Sequence, residues 1–235
     1  MDRTPHHPFS VPMFFTTRML DQPPEQAYLS TKGDILGTDG FVANPLQGQL
    51  IHGAFILGET GVQELWVPGK SLMIADAWNS PQAADEAIHT LIEPALTGAG
   101  IPQPERVSGV ELIGCLAADV SDFDAEEAFA IVQVWPDLRE DATELYTAIF
   151  DEVIGHHRSL PVGTGVHFAY RLGNQVISWE ISRSQALYEQ AMAETIMPAV
   201  RGVFHKFGVS GEPTTIPARP LGLAVREEVR YCKAA

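Results

Sequence analysis

Residues 165–180 read GVHFAYRLGNQVISWE. Two runs of β-branched and aromatic residues flank Gly173-Asn174, a dipeptide suited to the two-residue turn of a β-hairpin. With that turn, Leu172 faces Gln175, Tyr170 faces Ile177, Phe168 faces Trp179 and His167 faces Glu180. Opposed side chains lie about 5 Å apart at Cβ, so the imidazole and the carboxylate are within reach. Alternation puts Val166, Phe168, Tyr170, Ile177, Trp179 and Ile181 on one face of the hairpin. His167, Ala169, Arg171, Ser178, Glu180 and Ser182 lie on the other.

The chain repeats this segment. LIHGAFILG (50–58) aligns with GVHFAYRLG (165–173) at an offset of 115 residues, His52 on His167. MIADAWNSPQAADEAIHTLIEPALTG (73–98) aligns without gaps with ISWEISRSQALYEQAMAETIMPAVRG (177–202) at an offset of 104, Asp76 on Glu180 and Pro94 on Pro198. The change of offset reflects a long loop, GETGVQELWVPGKS, where the second copy has a tight turn. Two blocks in the same order point to duplication, and they set His52 opposite Asp76 as His167 is opposite Glu180.

The second copy predicts a strand at 128–135, a helix over 141–154, the hairpin, a helix capped by Ser184 and ended by Gly208, and a final strand at 221–229. Pro198 is expected to bend the second helix. The order βαββαβ is ferredoxin-like. In the first copy the strand is expected at 13–20, and a short helix near 24–32 is cut off by Gly33 and Gly37. Ser80 then caps a second helix, and strand 110–117 closes the copy. The expected organisation is an N-terminal arm (1–12), unit 1 (13–118), a linker (119–127) and unit 2 (128–235).

The more apolar face of each hairpin is expected to cover the unit's own helices. The His–carboxylate face is then open, and with Ile56, Ile74 and Trp78 on it, it needs a cover. The matching face of the other copy would supply one. The fold class expected is therefore α+β, two tandem ferredoxin-like units whose antiparallel sheets pack into an intramolecular α/β barrel with both pairs pointing inward. His52, Asp76-Ala77-Trp78-Asn79-Ser80, Pro94-Ala95 and Gly100-Ile101-Pro102 resemble the dimeric α/β-barrel superfamily, in particular its antibiotic-biosynthesis-monooxygenase-like members. The first copy carries the match over roughly 45–116; the second has Ser182 in place of Trp78. The resemblance implies the fold more than the chemistry, since the superfamily spans cofactor-free oxygenases, isomerases, decarboxylases, haem enzymes and proteins without known activity.

Composition narrows the partners. Fifteen Lys and Arg against 30 Asp and Glu give a formal charge of −15, which repels phosphate backbones and anionic lipid surfaces. No apolar run reaches the length of a membrane helix, and residues 1–12 lack the apolar segment of a signal peptide. Two cysteines without metal-ligand spacing suit a reducing, cytoplasmic setting. The expectation is a small-molecule ligand, no nucleic acid, no membrane, no cofactor and no metal. The chain would be a monomer with an internal pseudo-dimer, or a homodimer.

A neutral imidazole beside a carboxylate is a sound general base. His52 with Asp76, or His167 with Glu180, is the candidate catalytic pair. Trp78, Ile74, Ile56 and Trp135 are candidate ligand contacts, with Arg18 or Arg171 to hold an anionic oxygen. Deprotonation of an acidic aromatic or enolisable substrate opens cofactor-free oxygenation and isomerisation alike. The competing expectation is a non-catalytic binding or stress-related barrel in which each pair merely satisfies two buried polar groups.

Overall fold

A computed structural model describes residues 9–16, 24–38, 40–57, 71–103, 105–106, 110–135, 142–155, 160–226 and 232–233. Arg18, Trp66, His156 and His157 lie outside these. The principal elements are β1 (Phe9–Thr16), α1 (Pro24–Leu36), β2 (Gln49–Leu57), β3 (Ser71–Trp78), α2 (81–98), β4 (Val110–Ala117) and β5 (Phe129–Trp135). They continue with α3 (Ala142–Ile154), β6 (Thr164–Leu172), β7 (Gln175–Ser182), α4 (185–207) and β8 (Thr214–Val225). The hairpin forms in the expected register, with His167 opposite Glu180 and His52 opposite Asp76. β1 starts at Phe9, inside the stretch expected to be an arm, because its pairing with β3 runs from Phe9 opposite Trp78 to Thr16 opposite Ser71. α1 runs through Gly33 and stops at Gly37, which takes φ 71°. One interior glycine costs a helix only about 1 kcal/mol.

Two compact units emerge, one drawn from 8–108 and 218–228, the other from 109–217. We call them the N-terminal and C-terminal units. The N-terminal sheet has the antiparallel order β8–β2–β3–β1. The C-terminal sheet has the order β4–β6–β7–β5. The strand expected to close the first unit, β4, therefore pairs with β6, Leu116 opposite His167. β8 pairs with β2, Ala224 opposite His52. A strand's own periodicity fixes which side chains share a face but not which distant strand it joins. Each closing strand carries a bulge, at Ile113 and at Leu221, followed by a glycine.

Both long helices start on a serine cap, Ser80 Oγ accepting from Ala83 N at 3.2 Å and Ser184 Oγ from Leu187 N at 3.4 Å. Ahead of each internal proline the helix widens into a π turn, Ile88–Ile92 before Pro94 and Met192–Ile196 before Pro198. What the structure shows at these prolines is a local change of winding, a feature common near functional sites.

The helices cover the face opposite to the expected one. Ala54, Ile74 and Trp78 pack with Ala84, Ile88, Ile92 and Leu96 of α2. In the C-terminal unit Ala169 and Val176 pack with Leu145, Phe150, Ile196 and Val200. Phe168, Trp179 and Ile181 on the other face are all fully buried as well. Apolar content alone cannot rank two faces when both are covered. The imidazole–carboxylate pairs are therefore enclosed between each sheet and its own helices, not between sheets.

Candidate functional site

Each pair has a third member that the sequence reading missed. In the N-terminal unit Tyr28 of α1 places its hydroxyl 3.0 Å from His52 Nε2, and His52 Nδ1 lies 2.7 Å from Asp76 Oδ1. In the C-terminal unit Tyr146 of α3 places its hydroxyl 2.6 Å from His167 Nε2, with His167 Nδ1 3.4 Å from Glu180 Oε1. The two rings of each pair lie near parallel, at centroid separations of 6.0 Å in both units. A carboxylate can only accept, so in the N-terminal unit Nδ1–H donates to Asp76 and Nε2 of the neutral ring accepts the Tyr28 O–H; in the C-terminal unit Tyr146 bonds Nε2 in the same way, while His167 Nδ1 and Glu180 are at ion-pair distance only. The His52 imidazole thus has no open nitrogen, and the group it presents is the phenol oxygen.

Glycines make room for the tyrosines. A Cβ on Gly222 of β8 would sit 2.2 Å from the Tyr28 oxygen, and one on Gly114 of β4 would sit 2.6 Å from the Tyr146 oxygen. Both follow the bulges of the closing strands, so each Tyr–His–acid set is completed by a strand from the other half of the sequence. The signal was present: 24–37 aligns with 142–155 at an offset of 118, Tyr28 on Tyr146, Asp34 on Glu152, Gly37 on Gly155.

A cavity opens at each set. The N-terminal one, about 30 Å³, is lined by Tyr28, Lys32, His52, Ile74, Asp76 and Ile92 among others. The C-terminal one, about 50 Å³, is lined by Trp135, Tyr146, Phe150, His167, Ser178 and Glu180 among others. Glu180 Oε2 and Thr164 Oγ1 are buried there without hydrogen-bond partners. Of the expected ligand contacts, Ile74 and Trp135 line cavities, Trp135 packing edge-on against Phe204 at 5.4 Å. Trp78 is buried in the helix–sheet core, and Ile56 packs against that core. Neither lines either of these two cavities. Arg171 is half-exposed and bound to Glu111 at 2.5 Å, so it does not serve as an anion contact in the site. Arg18 lies outside the described residues. No group of three or more metal-ligating side chains occurs among the described residues.

Burial, and then the nearby Asp76 charge, pushes the Tyr28 hydroxyl far above the ordinary phenol range. Burial and then Glu180 do the same to Tyr188, opposed by a hydrogen bond with Gln133. An unfolded tyrosine loses its proton near pH 10 while the folded protein keeps these two. Their contribution to stability is therefore whole below about pH 10 and declines above it. An alkaline titration followed by tyrosinate absorbance should show Tyr28 and Tyr188 ionising only as the chain unfolds. In Tyr28→Phe the alkaline loss of stability should be smaller. Ionisation of every tyrosine near pH 10 in the folded protein would contradict this.

These features define an α+β protein of ferredoxin-like fold. No protein-family model and no curated protein matches the chain. Its structure is similar to that of a candidate monooxygenase from Fusobacterium nucleatum subsp. nucleatum ATCC 25586, at 13% identity and TM-score 0.66, covering 94% of this chain and 95% of that one. It is also similar to a candidate monooxygenase from Lactobacillus acidophilus NCFM, at 14% identity and TM-score 0.60, covering 93% and 96%. At such identities the likeness establishes the fold. No helix among the described residues is long and apolar enough to cross a membrane.

Proposed function

We propose that the chain is a cytoplasmic small-molecule enzyme that abstracts a proton from an acidic phenol, enol or enolisable ketone, as a cofactor-independent monooxygenase or isomerase does. The observation that carries this is the buried Tyr–His–carboxylate set facing a cavity. A substrate proton passes to the tyrosine oxygen as the tyrosine proton passes to histidine Nε2, and the carboxylate stabilises the imidazolium. Burial holds the phenol neutral at rest, so the tyrosine acts only in concert with the histidine. The carbanion or enolate left behind can reduce dioxygen directly or be reprotonated elsewhere. The names of the two similar structures agree with the first course. The two halves of the sequence are read as a duplication in which the closing strands β4 and β8 are exchanged between the copies.

The test is oxygen uptake and solvent-deuterium exchange with a panel of polycyclic phenols and 1,3-diketones, comparing the wild type with Tyr28→Phe and Tyr146→Phe. Turnover by the wild type that at least one variant abolishes supports the relay; turnover indifferent to both removes it. A non-catalytic binding protein is favoured by cavity size. About 30 and 50 Å³ hold a few waters or the reacting end of a ligand, whereas sites for whole drug-sized molecules span about 300–1,000 Å³. Binding without turnover by any panel member would support this second function.

A further inference from the structure

The two cavities match position by position, and one position differs in kind. Thr31, Lys32, Ile35 and Leu36 of α1 correspond to Ile149, Phe150, Val153 and Ile154 of α3, and all eight line their cavities. Lys32 is only 2% exposed. Its Nζ donates to the bulge carbonyl of Leu221 at 3.3 Å and lies 5.6 Å from the centroid of the Tyr28 ring. The Tyr28 oxygen and Lys32 Nζ abut the same glycine: a Cβ on Gly222 would meet them at 2.2 and 3.2 Å. In the C-terminal unit Phe150 fills the place of the lysine, 5.9 Å from the Tyr146 ring and 6.2 Å from the His167 ring. The fold therefore has no need of a cation there.

Burying an ammonium group costs several kcal/mol unless an opposite charge compensates it. Asp76 lines the same cavity. We propose that the N-terminal cavity is built for a phenol or enol oxygen that becomes anionic, with Lys32 as its counter-charge, and that the C-terminal cavity does not serve this chemistry. The proposal rests on the relay described above and says which half performs it. After proton transfer the N-terminal site would hold the ligand anion together with the Lys32 ammonium, the His52 imidazolium and the Asp76 carboxylate. The C-terminal site would hold the His167 imidazolium, the Glu180 carboxylate and the ligand anion, leaving one negative charge uncompensated in a poorly solvated space. Glu180 Oε2, already buried without a partner, disfavours a second anion beside it. The half-buried Ile35 and Leu46 at the N-terminal cavity are the side chains that must part to admit the ring.

The test uses the full chain and 4-nitrophenol, whose anion absorbs in the visible and whose neutral form does not. Wild type should draw the bound probe's ionisation below its value in water. Lys32→Met, which keeps the aliphatic stem, should abolish that shift and weaken binding of the anion about 10- to 100-fold, the loss of a charge-assisted contact. Lys32→Leu serves as a second variant, and an unchanged melting temperature in either shows that the fold survives. Tyr28→Phe should keep the colour shift while losing turnover. If the wild type does not bind the probe, or Lys32→Met binds its anion like the wild type, the inference is overturned, and the relay still stands or falls on Tyr28→Phe. If Lys32→Met weakens binding but Tyr28→Phe turns over normally, the anion site is upheld and the relay is lost.

Discussion

Replacing His52 by glutamine is expected to lower turnover by about 100- to 10,000-fold, the usual range for removing a positioned general base, with little change in KM. Glutamine can still hydrogen-bond to Tyr28 and Asp76, so the polar layer stays satisfied, but it cannot hold the relayed proton. The same exchange at His167 should cost much less, because the C-terminal site lacks the counter-charge that Lys32 provides. Asp76→Asn should fall between: an amide oxygen can accept from Nδ1–H, but it stabilises an imidazolium far less than a carboxylate does. The measurement is kcat and KM for whichever panel compound turns over, with the melting temperature as the control for folding. Equal losses from the two histidine variants would mean that both halves are active. No loss from either would mean that the pairs are structural.

The second large effect concerns a residue with no chemistry of its own. Gly222→Ala should destabilise the chain by about 1–3 kcal/mol, the usual range for overpacking, and disturb the N-terminal site specifically. The new methyl would stand 2.2 Å from the Tyr28 oxygen, and that oxygen cannot retreat without leaving His52 Nε2. Removing the oxygen should relieve the clash, so the Gly222→Ala/Tyr28→Phe double variant should be more stable than the sum of the single changes predicts. Chemical denaturation of the four proteins of this cycle gives the coupling. Contacting residues usually show about 0.5–3 kcal/mol; strict additivity would mean that glycine and tyrosine do not meet. In the C-terminal unit a methyl on Gly114 would also meet the Tyr146 ring carbon Cε1 at 2.5 Å, so Tyr146→Phe should relieve much less of the Gly114→Ala clash.

The hairpins and both cross-strand pairs were legible because turn chemistry and period-two alternation are local. The Gly173-Asn174 turn sets His167 against Glu180, and the repeat carries that register to His52 and Asp76. Three things were not legible, each for a non-local reason. The face that meets the helices could not be chosen from apolar content, since Phe168 and Trp179 on one side and Ile74 and Trp78 on the other are all buried. The exchange of β4 and β8 depends on which strand edge each one finds. Tyr28 and Tyr146 sit on helices and reach the histidines only through tertiary packing. A search for a third repeat block, over 24–37 and 142–155, would have exposed the tyrosines, and with them the lysine–phenylalanine difference.

The orientation of the relay, tyrosine to Nε2 and Nδ1 to carboxylate, is tested most directly by the histidine tautomers. Nitrogen-15 NMR of the imidazole side chains in the full chain, assigned with His52→Gln and His167→Gln, reads which ring nitrogen bears the hydrogen. The relay predicts that the His52 ring carries its hydrogen on Nδ1, and in Tyr28→Phe the Nε2 resonance of His52 alone should move. A hydrogen on Nε2 of His52 would mean that Tyr28 is not the donor, and proton transfer through it would be ruled out.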